Sequence, residues 1–462
     1  MPAGIAWGDR RRRNAEMSDA VAIGGSGAEG KDRLMTSPPT LDPIARHYVT
    51  LAFGIERQVP GYVDAYVGPA EVREEALTGP APSPDALLDA ARALAMKLAE
   101  ADIAESRVGF LTTQVEAMIA TCRRLAGEDF SYTDEVRACF DITPVRTPEA
   151  TFADAIATLD QLVPGEGSVS ERMVAWRQQF VLRPEWVQGV IDRVLPECRR
   201  RTAAIVDLPE GDEIEVRLVR DKPWRGYNWY LGDARSRVEF NTDLPIYAHS
   251  LPDLLCHEGY PGHHLEHALK DRRLYRKRGY GEHAIQLINT PECVISEGIA
   301  TRAEEAIFPG EERFQFRRER VYPAAGVTGD PAREAAIETA EQALRGVAGN
   351  AALMLHVEGE GEAAVERYLQ EYGLRSAEEA RHQVRFIADP LWRGYIFTYH
   401  AGYDLLGAWL DGGPPGEREA RFRTLLTEQV YPSLVTHWIA EDKAGRPSEP
   451  GPLDEDPFAN GQ

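Results

Sequence analysis

The chain is short of cysteine, short of basic charge and without a long apolar run. Five cysteines in 462 residues (Cys122, Cys139, Cys198, Cys256 and Cys293) follow no paired spacing. That excludes a disulfide framework and points to reduced thiols in a cytoplasmic protein. No apolar stretch approaches the ~20 residues needed to span a bilayer, so no membrane partner is expected. Lys and Arg number 52 against 74 Asp and Glu, a formal net charge of −22. A chain this acidic repels phosphate backbones, so no nucleic-acid partner is expected either. "GDRRRRNAEM" has the charge of a signal peptide, but the polar, glycine-rich "SDAVAIGGSGAEGK" behind it lacks the apolar segment. No repeat of fixed period is present.

What is there suits a soluble, globular chain, with 43% hydrophobic and 27% charged residues. The length fits one large domain or two ordinary ones. Residues 1–38 read as a disordered tail, with Met17 or Met35 as alternative starts. A helical part follows over 39–205. Residues 206–444 carry the chemistry, and 445–462 are expected to fray. "SPDALLDAARALAMKLAEA" opens on a helix start signal. "SRVGFLTTQVEAMIATCRRLAG" sets Leu111, Val115, Met118 and Cys122 on one face, and "RPEWVQGVIDRVLPECRRRTAAIV" continues the pattern. In "EIEVRLV", Ile214, Val216 and Leu218 alternate with charges, the mark of a half-buried strand. "YNWYLG" and "SRVEFNT" follow as two more strands. Further helices are expected in "PAREAAIETAEQALRGVAGNAALMLHV", "EAAVERYLQEYG", "SAEEARHQVRFIA" and "PLWRGYIFTYHAGYDLLGAWL". The expected fold is mainly α with a small antiparallel β-sheet directly before the most chemical segment.

That segment is "LLCHEGYPGHHLEH", residues 254 to 267. It begins like the zinc-protease signature H-E-x-x-H, in which two histidines one turn apart hold a metal and the glutamate acts as general base. Here Pro261 stands where the second histidine belongs. On an ideal helix, positions 257 and 263 lie about 120° out of register. A bulge or break at Pro261-Gly262 returns His263 to the metal side. His257 with His264, seven apart, and His263 with His267, four apart, are the competing pairs. A histidine-rich surface turn is the plain structural alternative. Only His257 has an adjacent glutamate, Glu258.

A third ligand is available downstream. In "TPECVISEGIATRAEE", Glu297 sits among Val294, Ile295, Ile299 and Ala300. A buried carboxylate needs a partner, and a metal or Arg302 supplies one. Glu304, two turns on, either hydrogen-bonds a ligand histidine or is solvated. "YIFTYHAGY" offers Tyr395, Tyr399 and His400 as donors to an oxyanion, with packing an equal reading for Tyr395. "SRVEFNT" is a candidate sheet edge for an extended substrate. Arg302 or Arg393 either binds a substrate carboxylate, making a carboxypeptidase, or forms a surface ion pair.

"HEGYPGHHLEH", "SEGIATRAEE" and "FTYHAGYDLL" together resemble the bacterial domain-of-unknown-function family 885, over residues 237 to 408. His356 in "LMLHVEGEGEAAVERYLQEYG" matches a recurrent histidine of that family. The family is similar to zinc metallopeptidases of the gluzincin type, including carboxypeptidase Taq and thimet oligopeptidase, which carry Gly-His at the second ligand. The resemblance implies one zinc per chain held by His257, His263 and Glu297. It implies Glu258 as base and Tyr399, with His400 beside it, as catalytic donors. His264, Glu304, Arg302, Arg393 and His356 are left as supporting or substrate residues. Two departures, Ile299-Ala300-Thr301-Arg302 and Asp389-Pro390-Leu391-Trp392, fall where the family's substrate pocket is expected. The expected activity is zinc-dependent hydrolysis of a peptide or small amide. The rivals are a metal-dependent hydrolase of a non-peptide amide or ester, and a metal- or ligand-binding protein without turnover. The sequence leaves the oligomeric state open.

Overall fold

The computed structural model describes residues 38–222, 224–414 and 416–445. The tails expected at 1–38 and 445–462 therefore lie almost wholly outside the described residues. The first helical stretch comprises α1 (Pro43–Glu56), α2 (Ala70–Leu77), α3 (Pro84–Ala99), α4 (Glu105–Leu125), α5 (Tyr132–Phe140), α6 (Glu149–Leu162), α7 (Val169–Gln178) and α8 (Pro184–Thr202). Their starts obey capping chemistry. The carboxylate of Asp42 accepts from Ile44 and Ala45, and Ser83 and Ser168 cap α3 and α7. The stripe Leu111, Val115, Met118 and Cys122 on α4 is fully buried, as its spacing predicts.

Strand β1 (Val63–Tyr66) interrupts this stretch and pairs antiparallel with β5 (Ile285–Leu287). The three expected strands form as β2 (Glu213–Val219), β3 (Gly226–Gly232) and β4 (Arg235–Asn241). Their order is β2-β4-β3, with β3 antiparallel and β2 parallel to β4. The sheet is thus mixed rather than purely antiparallel. The physical reason lies in β4, whose Ser236, Val238, Glu239, Phe240 and Asn241 are buried, so it takes the centre. Strand β2 exposes Glu213, Glu215, Arg217 and also Leu218, as an outer strand does. "SRVEFNT" is therefore not a sheet edge; the outer strands are β2 and β3.

The remaining helices are α9 (Leu251–Glu258), α10 (His263–Lys270), α11 (Pro291–Ile307), α12 (Glu312–Phe316), α13 (Tyr322–Ala325), α14 (Pro331–Ala343), α15 (Val347–His356), α16 (Glu362–Glu371), α17 (Ala377–Ala388), α18 (Ile396–Gly412), α19 (Arg418–Thr427) and α20 (Pro432–Lys443). The long helix expected from Pro331 breaks at Leu344–Gly346, a turn of 3-10 helix. Two hydrophobic clusters fill the interior, one running from Tyr48 to Phe397 and the other from Leu159 to Trp438. Both draw on residues from either side of position 206. Helices α11 and α18 cross backbone to backbone, because a Cβ on Gly402 would lie 2.4 Å from the Val294 carbonyl and one on Gly298 2.8 Å from the Gly402 carbonyl. This glycine contact sets Glu297 beside the start of α18. Among the described residues no helix is long and apolar enough to cross a membrane.

Candidate metal centre

Helix α9 ends at Glu258 and α10 begins at His263, so the motif is split between two helices. Gly262 makes the return possible. Its N–H donates to the Cys256 carbonyl at 2.9 Å, and a Cβ there would stand 2.0 Å from the His257 carbonyl. Tyr260–Pro261 is a cis peptide, and the Tyr260 hydroxyl donates to Asp212 at 2.8 Å. The break brings His263 back to His257, with ring centroids 4.8 Å apart and nearly perpendicular.

Donor atoms of His257, His263 and Glu297 all lie within 4.8 Å of one another. His257 Nε2 is 3.7 Å from Glu297 Oε2. Each side chain is held from behind. Glu297 Oε1 accepts from the Tyr395 hydroxyl at 2.9 Å, while the buried Oε2 has no hydrogen-bond partner. Burial pushes the Glu297 carboxyl up, against His263 and the Tyr395 hydrogen bond. Burial, then His263, pulls the His257 imidazolium well below its usual range, so the ring is neutral and keeps a lone pair.

For His263 the proton can be placed by counting. The single proton of the Ser296 hydroxyl goes to Glu266 Oε2 at 2.6 Å. Ser296 Oγ must then accept from His263 Nδ1, 3.1 Å away, which leaves Nε2 outside this hydrogen bond. Glu266 Oε1 in turn accepts from Lys270 at 2.7 Å. Burial works against the Lys270 charge, but Glu266 and Glu292 outweigh it and hold the ammonium above its ordinary range. Two imidazoles and a carboxyl group with an orphaned buried oxygen are a donor set that fits zinc.

Glu258 lies in the same cleft. Its backbone carbonyl accepts from Asn228 on β3 at 2.6 Å, and Gly226 leaves room beside its Oε1. Burial raises its carboxyl to about 7, with His263 opposing and Glu297 and Asp64 adding to the rise. Tyr399 lines the cleft too, and burial followed by Glu297 and Glu258 holds its phenol well above 10, so it stays protonated.

Six other expected residues lie elsewhere. His264 is fully buried with both nitrogens used, Nδ1 by Ser236 at 2.8 Å and Nε2 by Asp212 at 2.7 Å, so it cannot be a ligand. His400, one residue and about 100° round α18 from Tyr399, packs on Phe397 and Gly349. Burial lowers it to about 4. Glu304 pairs with Arg317 rather than with a histidine. Arg302 lies over the Tyr403 ring at 3.5 Å and bonds Glu305 and the Tyr403 carbonyl. Arg393 pairs with Glu135, and His356 stacks on Tyr132 while its Nε2 meets the Ile387 carbonyl at 2.6 Å. His267 does line the cleft, its ring parallel to that of His263 at 5.9 Å, but it is not among the three converging donors.

Sequence reasoning missed Asp64 on β1, Tyr227 on β3, Gln286 on β5 and the Ser296–Glu266–Lys270 chain. Glu266 and Lys270, four apart with Glu first, carried a readable pairing signal. Asp64, Tyr227 and Gln286 have none, because distant strands deliver them, and Ser296 on α11 has none because its partner His263 lies 33 residues away.

No family model matches the chain, and no curated protein matches it. Two solved structures align over much of its length. One is described as a "putative lipoprotein" from Colwellia psychrerythraea, with TM-score 0.47 and 16% identity, over 78% of this chain and 68% of that one. The other is a "putative lipoprotein of unknown function" from Shewanella oneidensis, with TM-score 0.45 and 13% identity, over 87% of this chain and 83% of that one.

Proposed function

We propose that the protein is a zinc-dependent hydrolase of peptide or related amide bonds, a gluzincin-like enzyme as the family-885 resemblance implies. The convergence of His257, His263 and Glu297, with Glu297 Oε2 orphaned and buried beside Glu258, carries this reading. One zinc per chain would be held by these three residues and, when bound, would polarise water and the scissile carbonyl.

The chain's own groups do the rest. Glu258 takes a proton from the attacking water and passes it to the leaving amine, which a carboxyl held near 7 is suited to do in both directions. Tyr399 donates its hydroxyl to the developing oxyanion without bringing charge. Tyr395 keeps Glu297 turned toward the histidines, and Ser296 keeps the His263 proton on Nδ1. Outer strand β3, whose Gly226, Tyr227 and Asn228 line the cleft, supports an extended substrate by main-chain pairing. An intact base argues against a pure binding protein, since binding alone has no use for Glu258. Five free, buried thiols favour a reducing, cytoplasmic setting.

The test is metal analysis of purified protein together with digestion of a peptide library. About one zinc per chain and metal-dependent cleavage are expected, with Glu258→Gln keeping zinc but losing roughly a hundred- to ten-thousandfold in rate. Near-normal turnover in that variant, or a zinc-free active protein, sinks the proposal.

A further inference from the structure

Lys270 is 4% exposed and does not line the cleft, although Glu266, Glu292 and Ser296 around it do. Its ammonium lies 2.7 Å from Glu266 Oε1 on its own helix and 3.1 Å from Glu292 Oε1 at the start of α11. It thus ties α10, which carries His263, to α11, which carries Ser296 and Glu297. A buried ion pair of this kind is weak evidence for stability, because burial costs both charges. What it does fix is the direction of the hydrogen bonds behind His263.

An ammonium has three donors and no acceptor, so Glu266 Oε1 can only accept from it. The other oxygen, Oε2, meets Ser296 Oγ at 2.6 Å, and Ser296 Oγ meets His263 Nδ1 at 3.1 Å. This relay has two possible senses. With Glu266 ionised, every link donates toward it, Lys270 from one side and His263 through Ser296 from the other. With a donor in place of Oε2, the last two links reverse, and Ser296 gives its proton to His263 Nδ1. Glu266 is 1% exposed, and a buried carboxylate keeps its charge only with a cation beside it. Glu292 needs the lysine less, being 21% exposed and having His283 Nδ1 at 3.7 Å as well.

We propose that Lys270 is a positioning residue of the metal centre: it keeps Glu266 an acceptor at both oxygens and, through Ser296, holds the proton of the neutral His263 ring on Nδ1, so that Nε2 is the nitrogen left for a metal. The proposal rests on the metal-centre reading and names what orients one of its ligands.

The experiment reads the proton directly, in the full chain without metal at about pH 7.5, above the ordinary histidine range. Nitrogen-15 spectra of the histidine rings show which nitrogen carries the proton, with His263 identified by the signals lost in His263→Ala. The wild type should show Nδ1–H. In Glu266→Gln the lysine should claim the amide oxygen, because two donors cannot face each other. The amide NH2 is then turned to Ser296, the relay reverses, and His263 should show Nε2–H. Adding Lys270→Met frees the amide to turn its oxygen to Ser296, and Nδ1–H should return. Zinc competition against a chelator should follow the same order, with affinity roughly ten- to a hundredfold weaker in Glu266→Gln and regained in the double variant. An ion pair with a structural role alone gives the opposite order, since the second substitution removes a further contact. A doubly protonated ring in the wild type, an unmoved proton in Glu266→Gln, or a double variant no better than the single one overturns the role of Lys270. Glu266→Gln keeps the shape of the side chain and carries the test by itself if the double variant does not fold. Reversal of the proton in a protein that binds no zinc overturns the metal centre and leaves the relay. Zinc binding with an unmoved proton overturns the role of Lys270 and leaves the metal centre.

Discussion

Replacing Ser296 with alanine isolates one link in the candidate metal centre. The hydroxyl does two things: it accepts from His263 Nδ1 at 3.1 Å and donates to Glu266 Oε2 at 2.6 Å. Its loss frees the His263 proton to move to Nε2, the nitrogen the metal needs. Metal affinity should fall roughly ten- to a hundredfold, the usual effect of losing a partner behind a ligand. That is about 1.4–2.7 kcal/mol of binding. Glu266 is only 1% exposed, so its Oε2 loses a partner it cannot replace with water. The apo protein should lose about 1–3 kcal/mol of stability. The assay is zinc competition against a chelator of known affinity, with urea unfolding of the apo protein alongside. Ser296→Thr keeps the hydroxyl and should restore both quantities. Unchanged zinc affinity in Ser296→Ala, despite the stability loss, would refute the proton count on which the argument stands.

Tyr399→Phe should leave zinc content and thermal stability alone and lower kcat by roughly ten- to a thousandfold. Tyr395→Phe should instead weaken zinc retention, because it releases Glu297 Oε1; identical behaviour of the two variants would show that their roles are not separate. Gly262→Ala should prevent folding of the α9–α10 junction, since its Cβ would stand 2.0 Å from a carbonyl oxygen; soluble, zinc-loaded protein would contradict this. Burial holds His249, His267 and His283 below their unfolded value near 6.5, so the native state binds fewer protons than the unfolded chain. Their contribution is fully present above that value and falls as pH drops through it, by up to about 1.4 kcal/mol per pH unit for each histidine. Replacing His249 with Asn should therefore reduce the loss of urea midpoint of the apo protein between pH 7.5 and 5.5, against the opposing gain from carboxyls such as Glu258 that burial raises to about 7, and an unchanged pH dependence would refute the assignment.

Local spacing was sufficient for much of this protein. Alternation of apolar and charged residues marked β2, because one of its faces meets the interior. The helical stripe of α4 was legible for the same reason. Pro261-Gly262 announced a break, and a glutamate set in an apolar run at 297 announced a buried carboxylate in need of a partner. These features depend on neighbours a few residues away, which a sequence displays directly. The choice among His263, His264 and His267 did not follow from spacing. It was decided by Ser236 and Asp212, which take both nitrogens of His264, and by Ser296, which turns His263 the other way. The pairing of β2 with β4 was set by which strand is buried on both sides. Arg302, Arg393, Glu304 and His356 look available in sequence, yet each is claimed by a partner from a distant element. Polar side chains have several possible partners of similar strength, and only packing fixes which one lies within reach.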